Sequence, residues 1–133
     1  MRSYKKGKTN RYRMIRKANR KRKASGFERA IHAILKQEHI PFVKEKTVGR
    51  CHVDIAIGDK FLVECQGCHW HLCKKCSPKP SVLQRKAGAR DARRFWFFSQ
   101  LGFKVVEIWE CELKNDPDGV RRTLRRLGRE ARR

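Results

Sequence analysis

Four cysteines in this sequence have the spacing of a metal-binding group. Cys68, Cys73 and Cys76 form a C-x4-C-x2-C cluster, and Cys111 follows far downstream in a W-E-C segment. Zinc takes four ligands in a tetrahedron, and three closely spaced cysteines with one distant cysteine can supply them. The cluster therefore predicts a structural Zn²⁺ site that joins two separate parts of the chain.

Six cysteines could instead indicate disulfides. The chain lacks the features of a secreted protein, and close C-x2-C spacing outside an oxidising compartment is typical of metal binding. The cluster accounts for four of the six. We predict that the other two, Cys51 and Cys65, are free thiols that pack as small buried apolar side chains.

Carboxylates and a histidine lie next to this cluster. Asp54 and Glu64 precede it, and His71 lies inside it. These are the ligand and base types that metal-assisted hydrolysis uses. The pattern Asp54…Glu64-Cys65-Gln66 is a degenerate form of the D…ExK nuclease signature, with glutamine in place of lysine. Acidic residues at strand ends are also common as solvated groups, so the pattern alone leaves both interpretations open.

The charge of the chain indicates a polyanionic partner. The formal net charge is +22, and residues 1–23 contain twelve lysines or arginines and no acid. Such a run can be a solvated tail or a localisation signal, but the excess continues to the C terminus, where Arg122 and Arg126 belong to it. We predict nucleic-acid binding through phosphate contacts. The predicted phosphate contacts in the N-terminal run are Lys5, Lys6, Lys8, Arg11, Arg13, Arg16, Lys17, Arg20, Lys21, Arg22 and Lys23.

This composition divides the chain into two parts and suggests where it acts. Residues 1–23 are predicted to be a basic DNA-binding arm, and residues 24–133 a zinc-stapled globular domain. No segment reaches the ~18 apolar residues of a membrane span, and the N terminus lacks the apolar core of a secretory signal. We therefore expect a cytoplasmic protein, at the nucleoid or on host-cell DNA, with no membrane partner.

Apolar periodicity predicts the elements of an α/β domain. Residues 26–38 have helical spacing, and Ser25 with Glu28 forms a capping box before them. Strands are predicted at 42–48, 52–57 and 60–66, with the last two joined by a two-residue hairpin turn at Gly58-Asp59.

The second half adds a helix, a strand and a final helix. Residues 82–101 have the pattern of a long helix that ends at Gly102, with Phe95, Phe98 and Leu101 facing the core. Trp96 and Phe97 are predicted as core or interface residues. A strand at 104–109 and a helix opened by Asp116-Pro117-Asp118 follow. The predicted fold class is α/β, with a short mixed central sheet flanked by helices.

Three further motifs carry a resemblance to a known family. They are the G-C-H-W-H run at residues 67–71, Arg90-Asp91 in the long helix, and W-E-C at residues 109–111. In this order they resemble the very short patch repair endonucleases, and also the wider group of phage and intron homing nucleases with an E…D…HD arrangement. The resemblance covers residues 10–113. It implies a restriction-endonuclease-like fold with a structural zinc knuckle.

The resemblance also implies a role for individual residues. Asp54 would hold a catalytic Mg²⁺ together with the backbone carbonyl of Cys65, and His71 would activate the attacking water. Glu28 would hold metal-bound water, although its place in a helix cap explains it equally well. Asp91 would orient His71 or a water, although an ion pair with a neighbouring arginine explains it equally well.

The sequence departs from the family at three positions. Cys73 stands where the family has a histidine, which leaves an all-cysteine zinc site. Gln66 stands where a second histidine handles the phosphate or leaving group. His69 replaces a phenylalanine that wedges into DNA, while the neighbouring wedge Trp70 is retained. The family pattern therefore supports DNA cleavage more strongly than mismatch recognition.

These observations predict a Mg²⁺-dependent DNA endonuclease stapled by zinc, with double-stranded DNA as its partner. A homing or mobile-element role and a mismatch-triggered repair role are both compatible with the motifs, and other DNA-processing proteins could act beside it. Two alternatives from other functional classes are a non-catalytic zinc-containing DNA-binding module and an RNA-binding protein.

Overall fold

The structure is a computed structural model that describes residues 25–68, 73–76 and 79–133. Four helices and four strands lie in this part of the chain. No helix among the residues described is long and apolar enough to cross a membrane. In chain order the elements are α1 (Gly26–Gln37), β1 (Val43–Val48), β2 (Cys51–Ile57), β3 (Phe61–Gln66), α2 (Val82–Gln100), β4 (Lys104–Trp109), α3 (Glu110–Asn115) and α4 (Pro117–Ala131).

The four strands form one mixed sheet in the order β1-β2-β3-β4. Strands β1, β2 and β3 are antiparallel neighbours joined by short turns, whereas β4 pairs parallel to β3 after the α2 crossover. Every residue of β3 is buried, which is typical of a central strand covered on both faces. The predicted mixed sheet flanked by helices is confirmed.

Helices cover both faces of the sheet because each face carries its own apolar cluster. On one face, Ile31 of α1 and Leu124 of α4 pack against Ile55 and Val63 of the sheet. On the other face, Phe98 of α2 packs against Leu62. Alternation of side chains along the strands divides them between these two layers. The sheet therefore lies between α1 and α4 on one side and α2 on the other.

Three details differ from the sequence prediction. The β2–β3 turn has three residues, 58–60, because Ile57 pairs with Phe61; Gly58 adopts a positive φ of 59° there. Leu101 is 53% exposed rather than in the core, because it is the C-cap of α2, where the chain leaves the sheet. The short helix α3 was not predicted, since its six residues follow β4 without a break.

An ion-pair group connects α1 to α4. The Glu38 carboxylate accepts hydrogen bonds from Arg121 at 2.7 Å and from Arg125 at 2.6 and 3.0 Å. These two guanidinium groups lower the pKa of Glu38 from 4.5 to about 2. A carboxyl group with a lowered folded-state pKa stabilises the fold above its unfolded-state pKa, and this contribution disappears as the pH falls through the folded-state value.

Glu38→Gln is therefore expected to lower the thermal unfolding midpoint at pH 7 and to weaken its dependence on pH between about 4.5 and 2. Thermal melts across this pH range measure the effect. Glu45→Gln is the matched control, because Glu45 is an exposed strand residue. Identical acid profiles for wild type and Glu38→Gln would contradict the expected role of the ion pairs.

Candidate metal centre and acidic site

The four predicted cysteines come together in one cluster. The sulfur atoms of Cys68, Cys73, Cys76 and Cys111 all lie within 4.8 Å of one another. The Cys73 and Cys111 sulfurs are 3.9 Å apart, close to the ~3.8 Å between thiolates that share a tetrahedral zinc. All four are free thiols. Within the ranges that the structure describes, no other group of three or more His, Cys, Asp or Glu side chains has this geometry.

Parallel pairing of β3 and β4 brings the distant cysteine to the cluster. Gln66 and Trp109 are register partners at the ends of these strands, so the residues that follow each strand lie side by side. Cys68 follows β3, and Cys111 lies in the first turn of α3. The Cys111 backbone N–H donates a hydrogen bond to the Cys68 sulfur at 3.4 Å. Such N–H···S contacts orient a thiolate ligand.

Asp54 and Glu64 form the acidic site on the two inner strands rather than at an edge of the sheet. They lie one position beyond the Ile55–Val63 pair of β2 and β3. One Asp54 oxygen, Oδ2, accepts a hydrogen bond from the Cys65 backbone N–H at 2.8 Å. Burial of Glu64 and the neighbouring Asp54 carboxyl raise the pKa of Glu64 well above its ordinary value. Two adjacent carboxyl groups in a buried site attract either a proton or a cation.

Arg94 supplies part of the positive charge that these carboxyl groups attract. It was not predicted from the sequence as a site residue. Its Nη2 atom donates to Glu64 Oε1 at 2.7 Å and to the His52 backbone carbonyl at 2.6 Å. Its Nη1 atom lies 3.4 Å from an Asp91 oxygen, and the guanidinium carbon lies over the Phe98 ring, 5.7 Å from its centroid. Arg94 thus fixes α2 to the acidic site and partly offsets the Glu64 charge.

The structure shows Glu28 in the cap of α1, whereas its predicted role with metal-bound water stays a prediction. Its backbone N–H donates to the Ser25 hydroxyl at 3.2 Å, as a helix cap requires. Its carboxylate, together with those of Asp54 and Glu64, adds to burial in raising the pKa of the Cys65 thiol. Glu28 therefore lies in the first turn of α1 and also adds negative charge near the acidic site.

Asp91 forms the ion pair with a nearby arginine that the sequence allowed. Its partner is Arg94, three residues later on α2. Its predicted role beside His71 stays a prediction, because His71 lies outside the described residues. Gln66, at the end of β3, is 1% exposed. The predicted DNA contacts His69 and Trp70, and all those in the arm, also lie outside the described residues.

Arg122 and Arg126 lie exposed on α4, as their predicted role requires. They border a cavity of about 650 Å³ that Lys75 and Arg129 also line. Their ion pairs are long: Arg122 is 3.9 Å from Asp116, and Arg126 is 4.0 Å from Glu130. Exposed pairs at such distances contribute little to stability, so these guanidinium groups can exchange their partners for phosphates.

A second cavity, of about 450 Å³, lies between α2 and the end of β4. Asp91 and Phe95 line it on the α2 side, and Trp109 lines it on the sheet side. Cys73 and Cys111 complete its wall. The cavity therefore connects the cysteine cluster to the helix that carries Arg94.

Sequence reasoning also missed His32, a buried histidine of α1. The ring is 5% exposed and stacks on Phe42 with 5.5 Å between centroids. Its Nε2 atom has no hydrogen-bond partner in the part of the chain that the structure describes. Burial, helped by Lys44 and Lys36, lowers the pKa of His32. A histidine on the apolar face of a helix gave no signal that distinguished it from a core residue.

Comparison with known proteins gives two similarities. Over 79 residues the chain is 39% identical to the type II nicking enzyme V.NmeAIP of Neisseria meningitidis serogroup A / serotype 4A. That match covers 53% of this chain and 56% of the nicking enzyme, so the chain aligns with little more than half of this relative. No family model matches the sequence.

The second similarity is to a solved structure, the catalytic domain of the homing endonuclease I-Bth0305I. The two share a TM-score of 0.59 and 23% sequence identity, and the match covers 78% of this chain and 94% of that domain. At this identity the likeness shows a common fold. The mixed four-stranded sheet flanked by helices is therefore an arrangement also found in a homing endonuclease catalytic domain.

Proposed function

We propose that this protein is a DNA endonuclease that hydrolyses phosphodiester bonds. The observation that carries the proposal is the juxtaposition of Asp54 and Glu64 on adjacent inner strands, with Asp54 held by the Cys65 N–H at 2.8 Å. The likeness to a nicking enzyme and to a homing endonuclease domain supports it. The net charge of +22 suits a DNA substrate.

The acidic site fits a hard divalent cation, which we propose to be Mg²⁺. Asp54 and the Cys65 carbonyl would hold it, and both offer oxygen donors of the kind that Mg²⁺ takes while keeping several waters. When bound, the cation polarises the scissile phosphate and stabilises the charge that develops on it. The Cys65 N–H orients the Asp54 carboxylate, and Arg94 balances the Glu64 charge at 2.7 Å.

The proton transfers would fall to His71 and its neighbours. Histidine suits a general base because its ordinary pKa lies near neutrality. In the proposed mechanism His71 removes a proton from the attacking water, Asp91 orients the imidazole, and Glu28 positions the water. Gln66 would offer an amide to the phosphate region, and an amide can donate a hydrogen bond but cannot release a proton.

The cysteine cluster would hold a structural Zn²⁺. Four thiols lie within 4.8 Å of one another; as four thiolate ligands they would fill a tetrahedral zinc and leave no coordination position for substrate. The cluster joins the ends of β3 and β4, and β3 also carries Glu64 of the acidic site. Zinc would therefore keep β3 and β4 in register rather than take part in hydrolysis.

DNA binding would rest on the basic arm, residues 1–23, and on Arg122 and Arg126 of α4. Each phosphate that is neutralised releases condensed counterions, so affinity falls steeply with salt. His69 and Trp70 would add contacts to bases next to the cleavage site.

Removal of residues 1–23 is expected to weaken binding to all duplex sequences alike. It should also reduce the slope of log K against log salt by ~0.9 for each phosphate that the arm neutralises. Fluorescence anisotropy with two unrelated duplexes, from low to moderate salt, measures both effects. The double variant Arg122→Gln/Arg126→Gln is the comparison within the folded domain. Loss of one sequence preference with an unchanged salt slope would instead show that the arm reads sequence.

The biological role that we favour is that of a homing or mobile-element nuclease in the cytoplasm, acting beside other DNA-processing proteins. Mismatch-specific nicking of the very short patch repair type is the second candidate. Two observations keep it in view: the retained wedge Trp70, and the nicking activity named for the relative.

Strand cleavage of labelled duplexes tests both the activity and the role. We expect nicked or cut product from a long matched duplex in Mg²⁺, and no product when Mg²⁺ is omitted. A matched duplex and a counterpart with a single mismatch should be cut at similar rates. Cleavage of the mismatched duplex alone would favour the repair role. Tight binding of both duplexes without any cleavage would instead indicate a non-catalytic DNA-binding module.

A further inference from the structure

Helix α2 exposes large apolar side chains that the proposed nuclease site does not use. Of its 19 residues only Phe98 is fully buried. Trp96 is 66% exposed, and Val82 and Leu83 are 68% and 76% exposed. Trp96 was predicted as a core or interface residue, and its exposure excludes the core and leaves the interface. Large aromatic side chains are usually well buried, so an exposed tryptophan marks a surface on which a partner can pack.

Trp96 faces away from the acidic site. Successive helix residues are ~100° apart, so Trp96 lies ~200° around α2 from Arg94. Arg94 points inward to Glu64 at 2.7 Å. The Ser99 hydroxyl donates to the Trp96 backbone carbonyl at 2.7 Å, a local contact that leaves the indole in solvent. A ligand on Trp96 therefore lies on the opposite side of the helix from the catalytic carboxylates.

The exposed charged side chains of α2 are all positive. Arg85 lies within ~20° of Trp96 on the helix wheel and ~16 Å along the axis, and Arg93 lies within ~60° and one turn. Both are exposed, as are Lys86 and Arg90. The one acidic residue of α2, Asp91, pairs with Arg94 on the inner side. This outer face of α2, defined by Arg85, Arg93 and Trp96, is therefore complementary to a polyanion.

A polyanion that also presents a flat apolar face is single-stranded nucleic acid. In a duplex both faces of each base are stacked, whereas an unpaired base can stack on an aromatic side chain while arginines contact its phosphates. A second copy of this chain would place two cationic surfaces against each other. We propose that the outer face of α2 binds single-stranded DNA, with Trp96 stacking on an unpaired base, Arg93 on a flanking phosphate, and Arg85 on a phosphate farther along the strand.

Binding of single-stranded DNA at this surface is separate from the proposed cleavage activity and does not depend on it. Since it lies across α2 from the acidic site, it holds an unpaired segment that is separate from the phosphodiester being cut. A DNA strand that separates from its duplex after nicking offers the unpaired bases and phosphates that this surface would bind.

Binding of a labelled thymidine oligonucleotide and of a duplex of equal length, in buffer without Mg²⁺, tests the proposal. Trp96→Ala is expected to weaken single-strand binding about tenfold, as loss of one base–aromatic stack does, and to change duplex binding less than twofold. Arg85→Gln/Arg93→Gln should lower the single-strand salt slope by ~0.7 for each phosphate that these arginines neutralise. Leu101→Ala is the matched control, because Leu101 is an exposed apolar residue at the end of the same helix.

Three binding results, and one result on the oligomeric state, would overturn the proposal. One is wild-type single-strand affinity in Trp96→Ala with an unchanged melting temperature. Another is an equal loss of duplex and single-strand binding, which would make this face a general phosphate contact. The third is tighter binding of a uridine than of a thymidine oligonucleotide. Because the experiment measures binding and not cleavage, it tests this proposal even if the nuclease proposal fails. If sedimentation showed a dimer that Trp96→Ala dissociates without loss of DNA binding, the face would be a protein interface instead.

Discussion

Asp54→Ala is expected to reduce single-turnover DNA cleavage by at least ~10³-fold while leaving DNA binding within about twofold. The carboxylate is the proposed anchor of the catalytic cation, and loss of a general base alone typically costs ~10²–10⁴ in rate. Binding should persist because the phosphate contacts are proposed to lie in the arm and on α4. Quenched-flow or manual sampling on a labelled duplex at excess enzyme measures the rate, and anisotropy measures the binding.

Asp59→Ala is the matched control for this experiment. Asp59 lies exposed in the turn of the same β2–β3 hairpin, so its loss should leave the rate unchanged. His71→Ala is expected to lose DNA cleavage as Asp54→Ala does. Glu28→Gln should slow cleavage by an intermediate factor if its carboxylate positions water, and should only lower the melting temperature if it acts as a cap. Cleavage by His71→Ala at the wild-type rate would refute the base assignment.

Removal of the metal from the cysteine cluster is expected to unfold the domain. Cys68 follows β3 and Cys111 follows β4, so a metal bound by both joins the ends of these strands. A structural zinc contributes its binding free energy to folding. Purified protein should contain about one zinc per chain. Cys111→Ser should lose that zinc and its cooperative melting transition together.

Cys51→Ser is the comparison for this prediction. Cys51 is a half-buried free thiol on β2 that lies outside the cluster. Its replacement should keep both the zinc and the transition. Metal-free wild-type protein that melts at the same temperature as the metal-bound protein would show that the cluster is not a structural metal site.

Local patterns in the sequence predicted most of the fold. Among the described residues, the spacing of apolar residues located the four strands and three of the four helices; β3 showed as a continuous apolar run and the others as alternating or helical patterns. Helix α3 was missed because its six residues are too few to show periodicity and continue directly from β4. Leu101 was misplaced because helical spacing cannot show where a helix passes the edge of the sheet that it covers.

The candidate site was only partly predictable, because some of its contacts join residues that are far apart in the sequence. The cysteines could be grouped because three are close in sequence, and a hairpin brings Asp54 and Glu64 together by register. Arg94 gave no such signal: it is one of several arginines on α2, and its contact with Glu64 spans 30 residues. The position of a cation on a long helix relative to a sheet depends on tertiary packing.

Relaxation of supercoiled plasmid by equal amounts of zinc-loaded wild type and Asp54→Ala tests the proposed endonuclease activity most directly. We expect nicked circles or linear DNA from wild type in Mg²⁺, none when Mg²⁺ is absent, and none from Asp54→Ala in either condition. Equal relaxation by both proteins, or intact plasmid with wild type in Mg²⁺, would contradict a metal-dependent endonuclease built on Asp54.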